Sequence, residues 1–255
     1  MIRYLALIAV FLFAALTPGN RVLSQEMAPE PVLAACSVPH DLIEDDPRLP
    51  ALARRFHAKL PITIVVIGGA STAGTAAGGE GEINAYPHRL EEALKRRHPD
   101  VPITVINKGI PRQSAQDMVA RFAQDVLPHN PNLVIWETGT VDAVRGIEVE
   151  DFAAAIQSGA ALLRQHKAEI MLVDMQYNPR TSSIINFEPY LDTMRQTADL
   201  EEIYLFRRYD IMHYWSDAGS FDLVNVPKGK QADLAEEIYQ CLGERMADAI
   251  DYAVR

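Results

Sequence analysis

From residue 62 onward, short uninterrupted apolar runs alternate with stretches of helical periodicity. The runs over 62–67, 103–107, 133–136, 170–174 and 203–206 predict buried strands, and the periodic stretches over 85–98, 114–127, 150–166, 188–199 and 230–252 predict helices. Five short apolar strands separated by helices imply a parallel sheet covered on both faces, because right-handed crossovers put the helices there. The expected fold class is α/β, a three-layer α/β/α domain over 61–255 built on a five-stranded parallel sheet. Ligands in such folds gather at the carboxyl ends of the strands, so chemistry is expected just after each one.

The first sixty residues read differently. Met1-Ile2-Arg3, an uncharged run over 4–16 and then Thr17-Pro18-Gly19 give the positive, apolar, breaker order of a secretory signal peptide over 1–24. The apolar run is short of the ~20 residues that span a bilayer, so the expectation is cleavage, a secreted or periplasmic protein, and no stable membrane insertion afterwards. Residues 25–60 form a Pro-rich, acidic lead-in with one short helix expected over 51–59. Within it, Leu33-Ala34-Ala35-Cys36 spells a lipoprotein-type box, although sixteen mostly polar residues separate it from the apolar run.

Cys36 and Cys241 are the two cysteines of the chain. Export favours a disulfide between them, the alternative being two buried free thiols. The formal net charge of −10 lacks the electrostatic footprint of a nucleic-acid binder, so no nucleic-acid partner is expected. No His-Glu-x-x-His or Cys-x-x-Cys spacing is present, and neither a metal nor another cofactor is expected.

After the first run stands Gly68-Gly69-Ala70-Ser71-Thr72. Glycine beside serine at a strand end can turn the backbone sharply, present a hydroxyl above the sheet and free amide N–H groups for an oxyanion, so Ser71 is a nucleophile candidate. The alternative is a Gly/Ser turn that merely connects strand to helix. A phosphate loop does not fit, since Thr75-Ala76 stands where it needs lysine, and Ala73 breaks the Gly-x-Ser-x-Gly elbow.

The company of Ser71 resembles the SGNH/GDSL hydrolases, from about residue 62 to 249. Gly69-Ala70-Ser71 is similar to that family's Gly-Asp-Ser, Asn107-Lys108-Gly109 to its Asn-x-Gly, and Gly139-Thr140-Val141-Asp142 to its Gly-x-Asn-Asp. The resemblance implies a flavodoxin-like SGNH fold, Ser71 as nucleophile, and the backbone N–H groups of Ser71 and Gly109 as oxyanion donors. It also implies a small-molecule or glycan ester as partner, with Asn107, Gly139, Val141, Asp142 and Asn225 as substrate-binding candidates, the alternative for Asp142 being a turn cap. Tyr177, Asn178 and Arg180 after the fourth strand are further candidates for lining a substrate groove.

Three positions depart from the family. Ala70 replaces the first motif's Asp, and Val141 replaces the third motif's Asn, removing an oxyanion donor worth ~10²–10³ in rate. Asn225 stands where the family's Asp-x-x-His would place its base, with Asp222 in the Asp position. Upstream, Asp210-Ile211-Met212-His213 spells the same pattern directly after the fifth strand, so His213 with Asp210 is the second register, unless His213 is a packed histidine. Two functions therefore stand side by side: an exported serine esterase or deacylase on small acyl or acetyl esters, and a catalytically impaired relative binding an acylated or glycan ligand. For the second, Trp215 and Tyr177 are candidate stacking platforms.

Overall fold

A computed structural model describes residues 34–44, 48–76, 81 and 84–255; the signal-like segment over 1–24 and the lead-in up to 33 lie outside them. The strands are β1 (Ile62–Gly68), β2 (Ile103–Gly109), β3 (Leu133–Glu137), β4 (Glu169–Val173) and β5 (Tyr204–Phe206). They form one sheet in the order β2-β1-β3-β4-β5, every neighbouring pair parallel. That is the flavodoxin-like order, whose direction reverses between β1 and β3 and opens a crevice at the carboxyl ends there.

Alternation along each strand splits the core in two. Ile62, Ile64 and Val66 of β1 face α1 (Pro50–His57), α2 (Tyr86–Arg97), α9 (Arg208–Asp217) and α10 (Gln231–Ala253). Val65 and Ile67 face α3 (Ala115–Ala120), α4 (Phe122–Asp125), α6 (Val149–Gln165) and α8 (Glu188–Leu200). The remaining helices, α5 (Thr140–Arg145) and α7 (Pro179–Ser182), follow β3 and β4 at the carboxyl end of the sheet.

Several expectations change. The helix expected over 114–127 divides at Arg121, whose guanidinium is held by Gln113, Asp125 and the Lys108 carbonyl. Helices α5, α7 and α9 were not expected. The charge run Lys95-Arg96-Arg97 partly faces α10: Arg96 pairs with Glu244, and Arg97 reaches Glu244 at 2.8 Å, Asp248 at 2.7 Å and Asp251 at 3.0 Å. The two helices approach closely because Gly243 has no side chain; a Cβ there would stand 2.6 Å from the Arg89 Cβ.

The disulfide expected between Cys36 and Cys241 is formed, with 5.0 Å between the Cα atoms. It fastens the lead-in to α10. Nearby, the Trp215 indole donates to the Ser37 carbonyl at 3.2 Å and the Tyr204 hydroxyl donates to the Ile43 carbonyl. Trp215 is thereby corrected from a candidate stacking platform to a core residue, 1% exposed and packed edge-on against Phe221. Among the described residues no helix is long and apolar enough to cross a membrane.

Candidate functional site

The chain turns back under β1 because Gly68 leaves room for it. A Cβ on Gly68 would lie 2.1 Å from the Thr72 Oγ1 and 2.8 Å from the Glu137 Cβ, so only glycine lets the 69–74 turn tuck beneath the strand end. That tuck sends Ser71 and Thr72 inward, toward Glu137 at the end of β3. Ser71 Oγ donates to Glu137 Oε1 at 2.6 Å and accepts from Arg208 Nη1 at 3.1 Å. Thr72 donates to the other Glu137 oxygen, and the Tyr86 hydroxyl reaches that oxygen at 3.2 Å. Arg208, at the start of α9, closes the set with Nη1 3.3 Å from Glu137 Oε1.

This cluster is buried. Ser71 is 4% exposed, Glu137 5% and Arg208 0%. Burial alone would raise the Glu137 carboxyl, but the Arg208 guanidinium and the hydrogen bonds from Ser71, Thr72 and Tyr86 outweigh it and hold the group below its usual range. Tyr86 is pushed well above its ordinary value by burial and by the Glu137 charge. The ion pair at the centre is therefore Glu137 carboxylate with Arg208, and Ser71 is hydrogen-bonded into it.

Asn107 and Gly109 brace the same loop from β2. Asn107 Nδ2 donates to the Thr72 carbonyl at 2.6 Å, and Asn107 Oδ1 accepts the Gly109 N–H at 2.8 Å. The Gly109 N–H, expected to serve an oxyanion, is thus already donated to Asn107. A Cβ on Gly109 would stand 2.3 Å from the Ala73 nitrogen, which explains glycine at this position. Gly139 opens α5 at φ 94°, where a side chain would be strained. The Asp142 carboxylate accepts the Ala115 N–H at 3.0 Å and so pins the start of α3; burial raises its pKa. Val141 is partly buried and offers no donor.

The two expected acid–base registers lie elsewhere. Asp210 pairs with Arg207 at 2.7 Å and Arg195 at 3.5 Å. His213 points to Asp217 at 3.6 Å and packs its ring 4.5 Å from that of Tyr177. Asp222 Oδ1 accepts the N–H groups of Val224 at 3.0 Å and Asn225 at 2.8 Å, which lowers its pKa. Asp222 and Asn225 thus close an exposed turn of their own. The fold brings Ser71, Asn107 and Gly109 together. It does not bring Asp210, His213, Asp222 or Asn225 into hydrogen-bond contact with them.

Glu137, Arg208 and Asp174 are the residues that sequence reasoning missed. The available signal was a carboxylate closing the apolar runs 133–136 and 170–173, since a charge there must find a buried partner. Asp174 follows β4 and accepts the Tyr209 N–H at 2.8 Å; among the described residues its Oδ2 has no partner, as is true of Arg208 Nε and Nη2. Burial raises the Asp174 pKa to about 7. The folded protein then keeps a proton that the unfolded chain, at the ordinary aspartate value of about 3.8, has released, so this group's contribution to stability falls as pH rises from about 4 to about 7. Asp174→Asn should flatten this slope and raise stability at pH 8 by roughly 1–3 kcal/mol. Urea unfolding of both proteins at pH 5 and pH 8 measures it, and parallel pH profiles would refute the assignment.

Comparison with known proteins bears on the family and the fold. The sequence profile of the non-GDSL lipase-like family matches residues 35–255. An acetylxylan esterase of Geobacillus stearothermophilus is 26% identical over 131 residues, covering 48% of this chain and 58% of that protein. An arylesterase of Vibrio mimicus is 27% identical over 95 residues, covering 37% and 46%. The matches thus span about half the length of these curated relatives. Among solved structures, a two-domain esterase active on acetylated mannans superposes with a TM-score of 0.61 at 20% identity, covering 82% of this chain and 57% of that one. With its sheet order, its braced loop after β1 and a profile match over nearly the whole described length, the chain belongs to the non-GDSL lipase-like family of SGNH/GDSL-type hydrolases.

Proposed function

We propose that this chain is a member of its family that binds an acylated small molecule or glycan ester at the strand ends without cleaving it. One observation carries the reading: the Ser71 hydroxyl is buried, donates to an ionised carboxylate and accepts from a guanidinium, and among the described residues no imidazole is in contact with it. A serine becomes a nucleophile when a base of suitable pKa takes its proton. Glu137 is the carboxylate in contact with it, and its lowered pKa makes it a poor base. The partly open neighbours Gly69, Ala70 and Ala73 carry no nucleophile.

Export fits the same reading. The signal-like segment and the disulfide support a protein released into an oxidising compartment, secreted or periplasmic, after removal of residues 1–24.

The esterase reading draws on the similarity to an acetylxylan esterase and an arylesterase. It requires Ser71 to leave Glu137 and Arg208. A fluorophosphonate probe separates the two. The expected result is no label on Ser71, and p-nitrophenyl acetate hydrolysis at the same rate in wild type and Ser71→Ala. Labelling of Ser71 together with a 10²-fold or larger drop in Ser71→Ala would establish the esterase instead.

A further inference from the structure

Beside the Ser71 cluster lies a groove of about 160 Å³ between the segment after β4, α9, the turn before α10, and α10 itself. Met212, Leu223, Leu234 and Ile238 supply apolar walls, and Tyr239 forms part of the lining. The Tyr239 ring lies 6.5 Å from that of Tyr86, whose hydroxyl touches Thr72 at 2.9 Å, so the groove adjoins the loop that carries Ser71. In a chain of which 23% is charged, none of the described lining residues is Asp, Glu, Lys, Arg or His.

The polar residues of the lining are the amides Gln176, Asn178 and Gln231 and the phenols Tyr177 and Tyr239, all of them neutral. Asn178 Oδ1 is occupied by the N–H groups of Arg180 and Thr181, and Gln231 Oε1 accepts the Gly229 N–H at 2.9 Å. Among the described residues no hydrogen bond uses their amide nitrogens or the Gln176 amide, and these groups can donate to a ligand. Neutral donors around an apolar slot suit an uncharged, hydroxylated head group; a carboxylate would meet no countercharge there. The volume matches the ~150 Å³ apolar cavity that accommodates a benzene-sized guest, about six carbon atoms.

We infer that this groove binds the acyl chain of a neutral sugar ester, selecting chains of about four to six carbons over acetyl. The inference deepens the binding reading above and rests on it.

Each methylene moved out of water is worth about a fourfold gain in affinity, so four of them separate hexanoyl from acetyl by on the order of 10²-fold. Titration calorimetry with methyl 6-O-hexanoyl-glucoside, methyl 6-O-acetyl-glucoside and sodium hexanoate reads this directly. The hexanoyl ester should bind about 10²-fold more tightly than the acetyl ester and clearly more tightly than free hexanoate. Ala235→Phe, which fills the groove from α10, should weaken hexanoyl binding at least tenfold; Val226→Trp, which fills it from the turn before α10, repeats the test should Ala235→Phe unfold. Equal affinity for the two esters, equal affinity for hexanoate, or unchanged binding in a folded filled variant would each overturn the inference. Hexanoate release followed by NMR in the same samples tests the parent reading separately. Turnover that Ser71→Ala abolishes would refute binding without cleavage while leaving the chain-length preference to stand or fall by the titrations.

Discussion

Arg208→Met is expected to destabilise the protein by about 3–5 kcal/mol, the cost of leaving a buried carboxylate without its partner. Arg208 is fully buried and bonds both Glu137 and Ser71, so its loss strands the Glu137 charge beneath the strand ends and removes a positive charge from the surroundings of Asp174. Neutralising both sides behaves differently. Glu137→Gln with Arg208→Met should recover most of the loss, because an amide can still meet Ser71, Thr72 and Tyr86 without an unpaired charge. Urea midpoints at a constant m-value measure both variants. A cost under about 1 kcal/mol for Arg208→Met would show that the ion pair does not hold the loop. The experiment also bears on function, since a Ser71 hydroxyl freed from Arg208 in the double variant is expected to gain no esterase activity, no imidazole among the described residues being in contact with it.

Removing the disulfide should have a comparable effect by another route. Cys36→Ser with Cys241→Ser is expected to lower stability by about 2–5 kcal/mol, since the bridge closes a loop over a sequence separation of 205 and limits the freedom of the unfolded chain. Locally the change should loosen residues 34–44, which otherwise pack on α10 and on the Trp215 and Tyr204 contacts. Thermal unfolding with and without reductant tests it: reductant should bring wild type down to the variant and leave the variant unmoved. A wild type that ignores reductant, with an equally stable variant, would show that the apolar packing around Cys36 and Cys241 suffices.

The strands were legible because their burial is local in sequence. Runs such as Ile-Thr-Ile-Val-Val-Ile at 62–67 are apolar on both faces, which suits only a central strand of a covered sheet. The long helices over 86–97, 149–165 and 231–253 followed from apolar spacing, and the disulfide followed from an exported chain with two cysteines. Helix α9 was not legible. It begins two residues after a three-residue strand, and its buried positions Arg208, Ile211, Met212 and Trp215 start with a charge, so its apolar pattern does not begin where the helix does.

The site divides along the same line. Sequence order alone placed Ser71, Asn107, Gly109 and Asp142 at the ends of β1, β2 and β3, since residues that follow parallel strands share one edge of the sheet. The direction of the Ser71 hydroxyl was a tertiary decision. It depends on the space Gly68 leaves for Thr72, on a carboxylate 66 residues away and on a guanidinium 137 residues away, none of which the local pattern encodes. The same holds for His213 and Asp222, whose spacing suggested a base, while the partners available to them in the fold are Asp217 and the N–H groups of their own turn. Periodicity and composition determine which residues are buried and in what order the elements stack; which polar groups meet is fixed by long-range packing, because a buried charge takes whatever partner the finished sheet brings within about 3 Å.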